Sequence, residues 1–536
     1  MKHFKFASLI AVLLLASCSC ANNNTQPYYP KTDTGIPFTP TTDEDPFPEY
    51  VPPEIDTHDF VKTAIPVNLT AVNDFHGQID EEVDDHRVGL AKMSTFLKSR
   101  KSQGDILISS GDMYQGSFLA GIDHGQFVSY AFKNIGFDAY VLGNHEFDWG
   151  VQYIVNNQAA LGQNFLCANI YNYPYHTNNP IKSSLGDDYK IITLYPGTQY
   201  QVKVGVIGVI GKNQITSITS TYVEDYVFID PTSIVKKISV KLRDEQKCDY
   251  VIASYHDAEP DESIAQKVNN KSYKYVDACF MAHTHHYDYK VVNGVPFIQA
   301  SAYSRGVSTV KFTYNKNTKE STLVDSKYEY LSEKSLSADS IMVEQIGAKK
   351  ALHEKEYTEI VGENATGQTL DVGQMSQFYA KMTYDKAVEK YKPDYNIVGC
   401  IFNESRRGLK EGEFTYSEIY ETHPFLNSIY ILSVSQKDIL NEKKYAYGYI
   451  NPDTYFSETV NLYYDVLVFD YNGFHISIDN QYKKRYNFFP SAFESGAKHQ
   501  PYKIDFTCLD ATLEYLKETP ITNEFFATEG LFAKMS

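Results

Sequence analysis

Residues 63–330 alternate between short apolar runs and longer amphipathic segments. Apolar runs of four to seven residues are typical of buried strands, and segments such as 90–101 and 127–135 have the spacing of helices. The runs predicted as strands lie at residues 67–72, 105–109, 139–142, 204–210, 250–254 and 278–281. Strands that alternate with helices predict a layered α/β domain over residues 63–330.

A similar alternation resumes after residue 358. It predicts strands near residues 395–402, 428–435 and 464–471 and a helix near 436–444. These elements favour a second, smaller α/β domain over residues 358–536. Between the two domains, residues 337–357 have the pattern of one polar-faced helix that begins at a Ser/Asp cap. We therefore expect residues 331–357 to connect the domains as a linker helix.

The N-terminus has the pattern of an export signal. A basic start precedes an apolar run to Leu15, which is too short to span a bilayer, and Leu15-Ala16-Ser17-Cys18 resembles the lipobox of bacterial lipoproteins. This predicts a signal peptide over residues 1–17 and a lipid on Cys18; a plain secretory signal that contains a cysteine is the alternative. Residues 18–62, rich in Pro, Asn and Thr, would form a tether. The expected location is extracytoplasmic and membrane-anchored.

The charge balance narrows the class of partner. The 536-residue chain has a formal net charge of −18 and no basic stripe, so we expect no nucleic acid partner. A protein of this charge that acts on phosphates needs local positive charge, which bound metal ions could supply. The alternative interpretation is that the charge serves only solubility. We expect a monomer.

Five of the six predicted strands of the first domain end in polar side chains that can bind metal. Carboxyl ends of strands are where ligands collect in open α/β sheets, and alternate residues such as those in Asp-x-His share a face. Each cluster alone is typical of a solvated turn. Together they provide two Asp, one Asn and four His, a nitrogen-and-oxygen set suited to two divalent cations. The candidate ligands are Asp74, His76, Asp112, Asn144, His256, His283 and His285.

Four blocks of the first domain carry a family resemblance: NDFHG at residues 73–77, GDMYQG at 111–116, GNHEFD at 143–148 and HTH at 283–285. They resemble the calcineurin-type metallophosphoesterases, and more narrowly the two-domain bacterial 5′-nucleotidases and UDP-sugar hydrolases, over roughly residues 63–475. The resemblance implies a four-layer α/β/β/α domain. It also implies that Asp74, His76, Asp112 and His285 hold one metal ion, while Asp112, Asn144, His256 and His283 hold the other. Asp112 would bridge two ions, with Zn, Mn or Co expected.

Two further residues of the first domain are candidates for catalysis. Two cations at such a site would activate a water for in-line attack on phosphorus and offset the charge of the phosphate. His145 follows the candidate ligand Asn144 and would lie near the leaving oxygen. Asp148, three residues on, could orient the imidazole and favour its protonated form. We interpret His145 and Asp148 as a dyad that stabilises the transition state; a structural turn residue is the alternative for His145.

The second domain resembles the family less closely. There the family supplies two aromatic rings that enclose a base, together with arginines, and the residues that match are Arg406, Phe425, Asn427 and Tyr471. Departures are substantial, because the glycines before the arginine, the further arginines upstream and a glycine-rich block after the second ring are missing. Phe425 and Tyr471 as ordinary core aromatics therefore remain an alternative.

Three functions fit the sequence. The leading hypothesis is a surface-anchored, two-metal 5′-nucleotidase that releases nucleoside and phosphate. A hydrolase of another phosphate ester or of a UDP-sugar would use the same chemistry. A non-catalytic surface binding protein would be expected to lack candidate ligands, and all seven are present.

Overall fold

The computed structural model describes residues 44–51, 53–172, 181–223, 225–257, 260–265, 274–402, 404–425, 428–469, 498–499 and 501–534. Cys18, Asn427, Tyr471, the predicted signal peptide and residues 18–43 of the predicted tether lie outside these residues. The later part of the predicted tether is not a free spacer, because Phe47 is buried in the core of the first domain and Asp45 pairs with Lys133 at 2.8 Å. No helix within the described ranges is both long and apolar enough to cross a membrane.

Among the described residues, the first half of the chain contains thirteen strands and eight α-helices, together with short 3-10 and π-helical turns. The strands are β1 (Ile65–Val72), β2 (Ile106–Ser109), β3 (Ala139–Tyr140), β4 (Ile170–Asn172), β5 (Tyr189–Leu194), β6 (Val202–Ile210), β7 (Tyr226–Phe228), β8 (Tyr250–His256), β9 (Ala278–Met281), β10 (Tyr287–Val292), β11 (Val295–Ala300), β12 (Gly306–Asn315) and β13 (Glu320–Tyr330). The helices are α1 (Gly89–Ser102), α2 (Phe118–Gly121), α3 (Gln126–Ile135), α4 (Val151–Leu161), α5 (Ser220–Val223), α6 (Pro231–Val240), α7 (Ser340–Ala351) and α8 (Glu354–Thr358).

Two sheets pack face to face between two helical layers. One sheet has the order β13-β12-β1-β2-β3 and the other the order β10-β11-β9-β8-β6-β5. Buried residues such as Leu69 and Ile252 fill the space between the sheets, while Leu97 and Val235 belong to cores that the helices form on the outer faces. This arrangement is the four-layer α/β/β/α fold that the sequence predicts. All six strands predicted for this domain are present, with ends shifted by at most two residues.

The direction of the strands places the candidate ligands. β1, β2 and β3 run parallel in one sheet, and β6, β8, β9 and β11 run parallel in the other. Their carboxyl ends therefore meet at one edge of the double layer, where the loops after them carry the polar clusters.

The connection between the domains differs from the single helix that the sequence predicts. Asp339 caps α7 by accepting a hydrogen bond from the Ile341 amide, but α7 ends at Ala351. His353 then has a non-helical backbone, and its ring packs edge-on against Phe118 at a centroid distance of 6.0 Å. The expectation of one continuous helix was wrong because a tertiary contact at His353 interrupts the pattern. The domain limits stay a prediction.

The second half of the chain is built on a mixed sheet with the order β20-β17-β19-β15-β18-β21. A pair of strands, β14 and β16, lies beside it. The longest helix of the described ranges, α9, packs across β15 and β18 and was not predicted. The strands are β14 (Ile360–Asn364), β15 (Ile397–Phe402), β16 (Gly412–Thr415), β17 (Ile429–Ser435), β18 (Tyr447–Ile450), β19 (Tyr463–Phe469), β20 (Tyr502–Lys503) and β21 (Leu531–Phe532), and the helices are α9 (Val372–Tyr391), α10 (Tyr416–Thr422), α11 (Gln436–Glu442), α12 (Cys508–Leu516) and α13 (Asn523–Phe526).

Contacts between the halves are specific. Nη1 of Arg407 lies 2.6 Å from Oε1 of Glu82 in the first half and 3.0 Å from Oε2 of Glu421 in the second. The Gln115 side chain donates to the Pro424 carbonyl at 2.6 Å. These bonds hold the loop that carries Phe425 close to the edge where the candidate ligands gather.

Candidate active site

Asp74, His76 and His285 form the first of two groups of side chains that could hold a metal ion. Nε2 of His76 lies 3.0 Å from Nε2 of His285, and Oδ1 of Asp74 lies 3.5 Å from the same His285 atom. Asp74 and His76 are buried, whereas His285 is partly exposed. One carboxylate oxygen and two ring nitrogens therefore face a common point, as the ligands of a single cation do.

Asp112, His256 and His283 form the second group, and Asn144 lies among them. Oδ2 of Asp112 is 3.0 Å from Nε2 of His256. Oδ1 of Asn144 is 3.2 Å from that nitrogen and 3.1 Å from Nδ1 of His283. The structure therefore gathers all seven candidate ligands in two adjacent groups. Asp112 groups with the second set, and its role as a bridge stays a prediction.

Two of the candidate histidines are oriented by backbone carbonyls. Nδ1 of His76 lies 3.0 Å from the Gln115 carbonyl oxygen, and Nδ1 of His256 lies 2.9 Å from the Ser110 carbonyl oxygen. When Nδ1 carries the proton and donates it to the carbonyl, Nε2 keeps its lone pair for a metal ion. A fixed hydrogen bond on the second ring nitrogen is the usual environment of a metal-binding histidine.

The backbone of the candidate ligands is strained. Five of the seven have left-handed φ angles: Asp74 (48°), His76 (49°), Asp112 (58°), His283 (80°) and His285 (61°). Non-glycine residues rarely adopt this conformation, and it costs on the order of 1–3 kcal/mol each where surrounding contacts enforce it. Hydrogen bonds between neighbouring loops, such as those from the Asp74 amide to the Gly111 carbonyl and from the His76 amide to the Asp112 carbonyl, both 3.0 Å long, enforce it here.

Gly111 allows the two sheets to approach at the site. Its φ is +96°, and a Cβ atom at this position would lie 2.6 Å from Nδ1 of His256 and 2.7 Å from the amide nitrogen of Gly143. Any side chain would therefore push apart the loops that carry Asp112, Asn144 and His256.

His145 and Asp148 form the pair that the sequence predicts. Nδ1 of His145 lies 2.7 Å from Oδ2 of Asp148. Burial raises the pKa of Asp148, while the neighbouring imidazole acts in the opposite direction. The His145 amide donates to Oδ1 of Asp112 at 2.8 Å, so the dyad is tied directly to a candidate ligand.

Two of the predicted second-domain residues reach this dyad. Nη2 of Arg406 lies 2.6 Å from Nε2 of His145, and the guanidinium carbon lies 4.9 Å from the centre of the Phe425 ring. The rings of Phe425 and His145 stack with centroids 5.5 Å apart. Because guanidinium only donates, Nε2 of His145 accepts in this arrangement. Phe425 is buried and lines the cavity described next.

A cavity of about 520 Å³ joins the candidate metal groups to the second domain. A volume between about 300 and 1,000 Å³ is typical of small-molecule sites. The first domain contributes Asn144, His145, His283 and Tyr303 to its lining, and the second domain contributes Ser405, Arg406, His423 and Phe425.

Sequence patterns did not point to Glu146 or Tyr303. The buried carboxylate of Glu146 accepts hydrogen bonds from the amides of Gly143 (2.6 Å), Asp112 (3.0 Å) and Met113 (2.8 Å), and so holds two ligand loops together. Burial and the charge of Asp112 raise the pKa of Glu146 to about 7.

The ring of Tyr303 lies 5.1 Å from that of His76 and 5.2 Å from that of His285, measured between ring centres. Its amide donates to the Asp74 carbonyl at 2.8 Å. Tyr303 follows β11, whose carboxyl end lies at the same edge as the other loops. The strand-end pattern could therefore have found it if β11 had been predicted.

Comparison with known proteins agrees with this geometry. Residues 67–287 match the family model of the calcineurin-like phosphoesterases, and this part of the chain is a calcineurin-like phosphoesterase domain. The whole described fold resembles the crystal structure of a 5′-nucleotidase precursor from Thermus thermophilus, with a TM-score of 0.63 and 17% identity over 84% of this chain and 96% of that one. That likeness confirms the expected architecture, a metallophosphoesterase domain followed by a second α/β domain.

Curated relatives carry several activities. The chain is 24% identical over 409 residues to the endonuclease YhcR of Bacillus subtilis, a match that covers 70% of this chain and 32% of that protein. It is 24% identical over 430 residues to an apyrase of Tabanus yao, covering 71% and 73% respectively. The chain thus spans about a third of the length of the endonuclease.

The donor atoms fit the cofactor that the family implies. All candidate ligands offer nitrogen or oxygen, two of them are carboxylates, and the groups lie side by side. Such a set suits divalent first-row transition metals and gives no preference among Zn, Mn and Co.

Proposed function

We propose that the protein is a two-metal phosphohydrolase that acts as a 5′-nucleotidase, releasing nucleoside and phosphate from nucleotides. The observation that carries the proposal is the pairing of two candidate metal groups with the His145–Asp148 dyad at one end of a single cavity. A phosphate bound between the metal groups would have the rest of the substrate in the cavity, in contact with the second domain.

The residues of the chain have separate roles in this proposal. The bound cations would supply an activated water and the positive charge that phosphoryl oxygens need. His145 and Asn144 line the same cavity, so Nε2 of His145 can donate a hydrogen bond to a developing charge when it carries a proton and Arg406 has moved away. Asp148 holds the opposite nitrogen at 2.7 Å and so fixes the orientation of the imidazole. In the structure the Arg406 guanidinium contacts Nε2 of His145. When substrate binds, Arg406 would leave this nitrogen and bind substrate oxygens, because a guanidinium binds charged oxygens more strongly than a neutral ring.

In this proposal, side chains of the second domain select the substrate. Phe425 offers an aromatic face beside the dyad, and Arg406 covers part of that face. A planar base beyond a 5′-phosphate would match this combination of ring and cation. The name of the Thermus structure, a 5′-nucleotidase precursor, supports the same substrate class. Asn427 and Tyr471 are included in the proposed base site only because they match the family's motif in the sequence.

A substrate panel tests the proposal. Purified full-length protein loaded with Mn²⁺ should release phosphate from nucleoside 5′-monophosphates with a higher kcat/KM than from sugar phosphates, UDP-glucose or an aryl phosphate. Phe425→Ala and Arg406→Ala should lower the ratio of nucleotide to aryl phosphate hydrolysis by about 5- to 100-fold, since base–aromatic stacking is worth roughly 1–3 kcal/mol. Preference for a sugar phosphate or UDP-glucose, with the ratio unchanged in both variants, would favour the alternative phosphate ester.

Two other functions are decided when a single-stranded oligonucleotide is added to the panel. A single-stranded oligonucleotide should not be cleaved, because an acidic chain lacks the basic track that backbone binding requires. Cleavage would instead align the protein with its endonuclease relative. A non-catalytic surface protein would release no phosphate from any substrate under conditions of full metal loading.

We also propose that the protein is anchored at the outer face of a membrane through a lipid on Cys18. The motif before Cys18 and the proline-rich stretch after it support the proposal, since residues 18–43, at about 3.1 Å per residue in extended form, would reach on the order of 80 Å. Cells given a labelled fatty acid should incorporate it into the wild-type protein and not into Cys18→Ser. Recovery of unlabelled wild-type protein, cleaved at another residue, would contradict the anchor.

A further inference from the structure

His423 is a buried histidine with no hydrogen-bond partner among the residues that the structure describes. Only 4% of the residue is exposed, and both Nδ1 and Nε2 are without a partner in that part of the chain. Leaving a buried polar atom unpaired is costly, so native structures rarely do it without a reason. The ring nevertheless lines the cavity that leads to the candidate metal groups.

The surroundings of His423 keep it an uncharged ring. Its centroid lies 5.4 Å from that of Tyr379, 4.7 Å from Phe402, 5.4 Å from Phe425 and 6.1 Å from Phe469. Burial in this aromatic box, with the positive charge of Arg406 nearby, lowers the pKa of His423 to about 3. A neutral imidazole offers one N–H donor and one lone pair at the same time.

A second unpaired group lies on the same wall. Ser405 is 4% exposed, lines the cavity, and its hydroxyl has no partner within the described ranges. The Arg406 amide donates to the Thr422 carbonyl at 2.8 Å, which holds the Ser405 segment beside the segment that carries His423. The Ser405 amide donates to Oγ of Ser376 at 2.8 Å, so this backbone is fixed as well.

We infer that His423 and Ser405 determine substrate specificity by forming hydrogen bonds with the edge of a neutral, planar, heteroaromatic group of the substrate. This rests on the proposed function, because it places the phosphate at the metal groups and the base in the second domain. An imidazole and a hydroxyl can each donate and accept, so together they complement the adjacent donor and acceptor atoms of a nucleobase. A sugar could satisfy them but would gain little from the neighbouring Phe425 face.

The decisive variant is His423→Phe, which keeps a ring among aromatic neighbours and removes both nitrogens. The kcat/KM ratio of AMP to an aryl phosphate should fall by about 10- to 100-fold, which is the effect of leaving a buried hydrogen-bonding group of the substrate unpaired. His353→Phe is the matched control, because that ring also packs on an aromatic residue but lies outside the cavity lining. The kcat/KM ratio of AMP to the aryl phosphate in His353→Phe should equal that of the wild type.

A base analogue separates hydrogen bonding from packing. Benzimidazole riboside 5′-monophosphate keeps the shape of AMP but lacks most of its hydrogen-bonding edge. The wild type should prefer AMP over the analogue by about 10-fold or more in kcat/KM. His423→Phe should show little preference, because it lacks the ring nitrogens that would form hydrogen bonds with the edge of the base. Equal discrimination in both proteins would overturn the inference.

Ser405→Ala provides a second variant that changes only one atom, in case His423→Phe folds poorly. It should lower the ratio by about 3- to 10-fold, whereas Ser239→Ala, which removes another buried unpaired hydroxyl far from the cavity, should not. If the wild type cleaves nucleotides but neither His423→Phe nor Ser405→Ala alters the ratio, the inference fails and the proposed function stands. If the wild type cleaves the aryl phosphate and no nucleotide, the proposed substrate class fails, and the inference fails with it.

Discussion

Asn73 links the loops after β1 and β11, and its replacement by alanine should weaken both the fold and the metal site. The residue is 4% exposed. Its side-chain amide donates to Oδ2 of Asp74 at 2.7 Å and to the Ser301 carbonyl, and its oxygen accepts from the Ala300 amide at 3.2 Å. Asn73→Ala removes all three bonds at once.

The expected loss of stability follows from the backbone groups that Asn73→Ala leaves without a partner. The Ala300 amide and the Ser301 carbonyl are buried backbone groups that would lose a partner, and each such loss costs about 1–3 kcal/mol. Water that enters the small space left by the side chain would restore part of this. We therefore expect the free energy of unfolding to fall by about 2–4 kcal/mol. Asp74 would also lose one of the two groups that fix its carboxylate, the other being the His283 amide, and this should weaken metal binding by about 10- to 100-fold.

Two measurements check these values separately. Urea unfolding in the presence of a chelator gives the loss of stability, provided that the m-value is unchanged. Competition with a chromophoric chelator gives metal affinity. Asn213→Ala, on an exposed 3-10 helix, is the control and should change the free energy of unfolding by less than about 0.5 kcal/mol. A loss below about 0.5 kcal/mol in Asn73→Ala, with unchanged metal affinity, would refute the argument.

Three further predictions concern other groups. Asp112→Asn should reduce bound metal and turnover more than any other single ligand change, and full metal occupancy by elemental analysis would contradict the bridging role. His145→Ala should lower kcat by about 10²- to 10⁴-fold with metal content unchanged, and loss of metal in proportion to rate would show that His145 is a ligand. Burial, reinforced by Asp438, raises the pKa of Glu442 from 4.5 to about 7. The folded state therefore holds this proton more tightly than the unfolded state, and stability should fall by about 1–3 kcal/mol as pH rises from 4.5 to 7. Glu442→Gln should remove that fall in a series of urea titrations, and an unchanged pH dependence would speak against it.

The strands that the sequence predicts combine burial with an unbroken apolar run. The segment β8 is buried throughout, and its apolar run is recognisable without any partner. The strand β11 is also buried throughout, but Pro296 and Gln299 interrupt its apolar run, and it was not predicted. The strand β13 is largely exposed and polar, so no run of apolar residues marks it. The helix α9 presents Phe378, Tyr379 and Tyr384 to the core, and these aromatic residues do not distinguish a helix from a strand in a single sequence.

For the site, prediction from sequence worked where a side chain follows a recognisable strand. His256 and His283 are examples, because the ends of β8 and β9 could be located from the apolar runs before them. The roles of Asn73 and Glu146 depend on backbone amides and carbonyls of distant loops. Such contacts leave no mark on the spacing of residue types, so only the folded chain reveals them.

Phe118 belongs to the first half of the chain but completes the hydrophobic core of the second. Its ring meets those of Tyr357, Tyr416 and Tyr420 edge-on, with centroids 5.6, 5.7 and 5.6 Å apart. During synthesis the first half emerges earlier, so this ring stays in water until the chain has grown past residue 420. A fragment of the first half alone would expose the Phe118 ring on its surface, where it would favour aggregation. A fragment of the second half alone would have a cavity in its core. The two halves are therefore poor candidates for separate expression, and proteolysis between them should destabilise both.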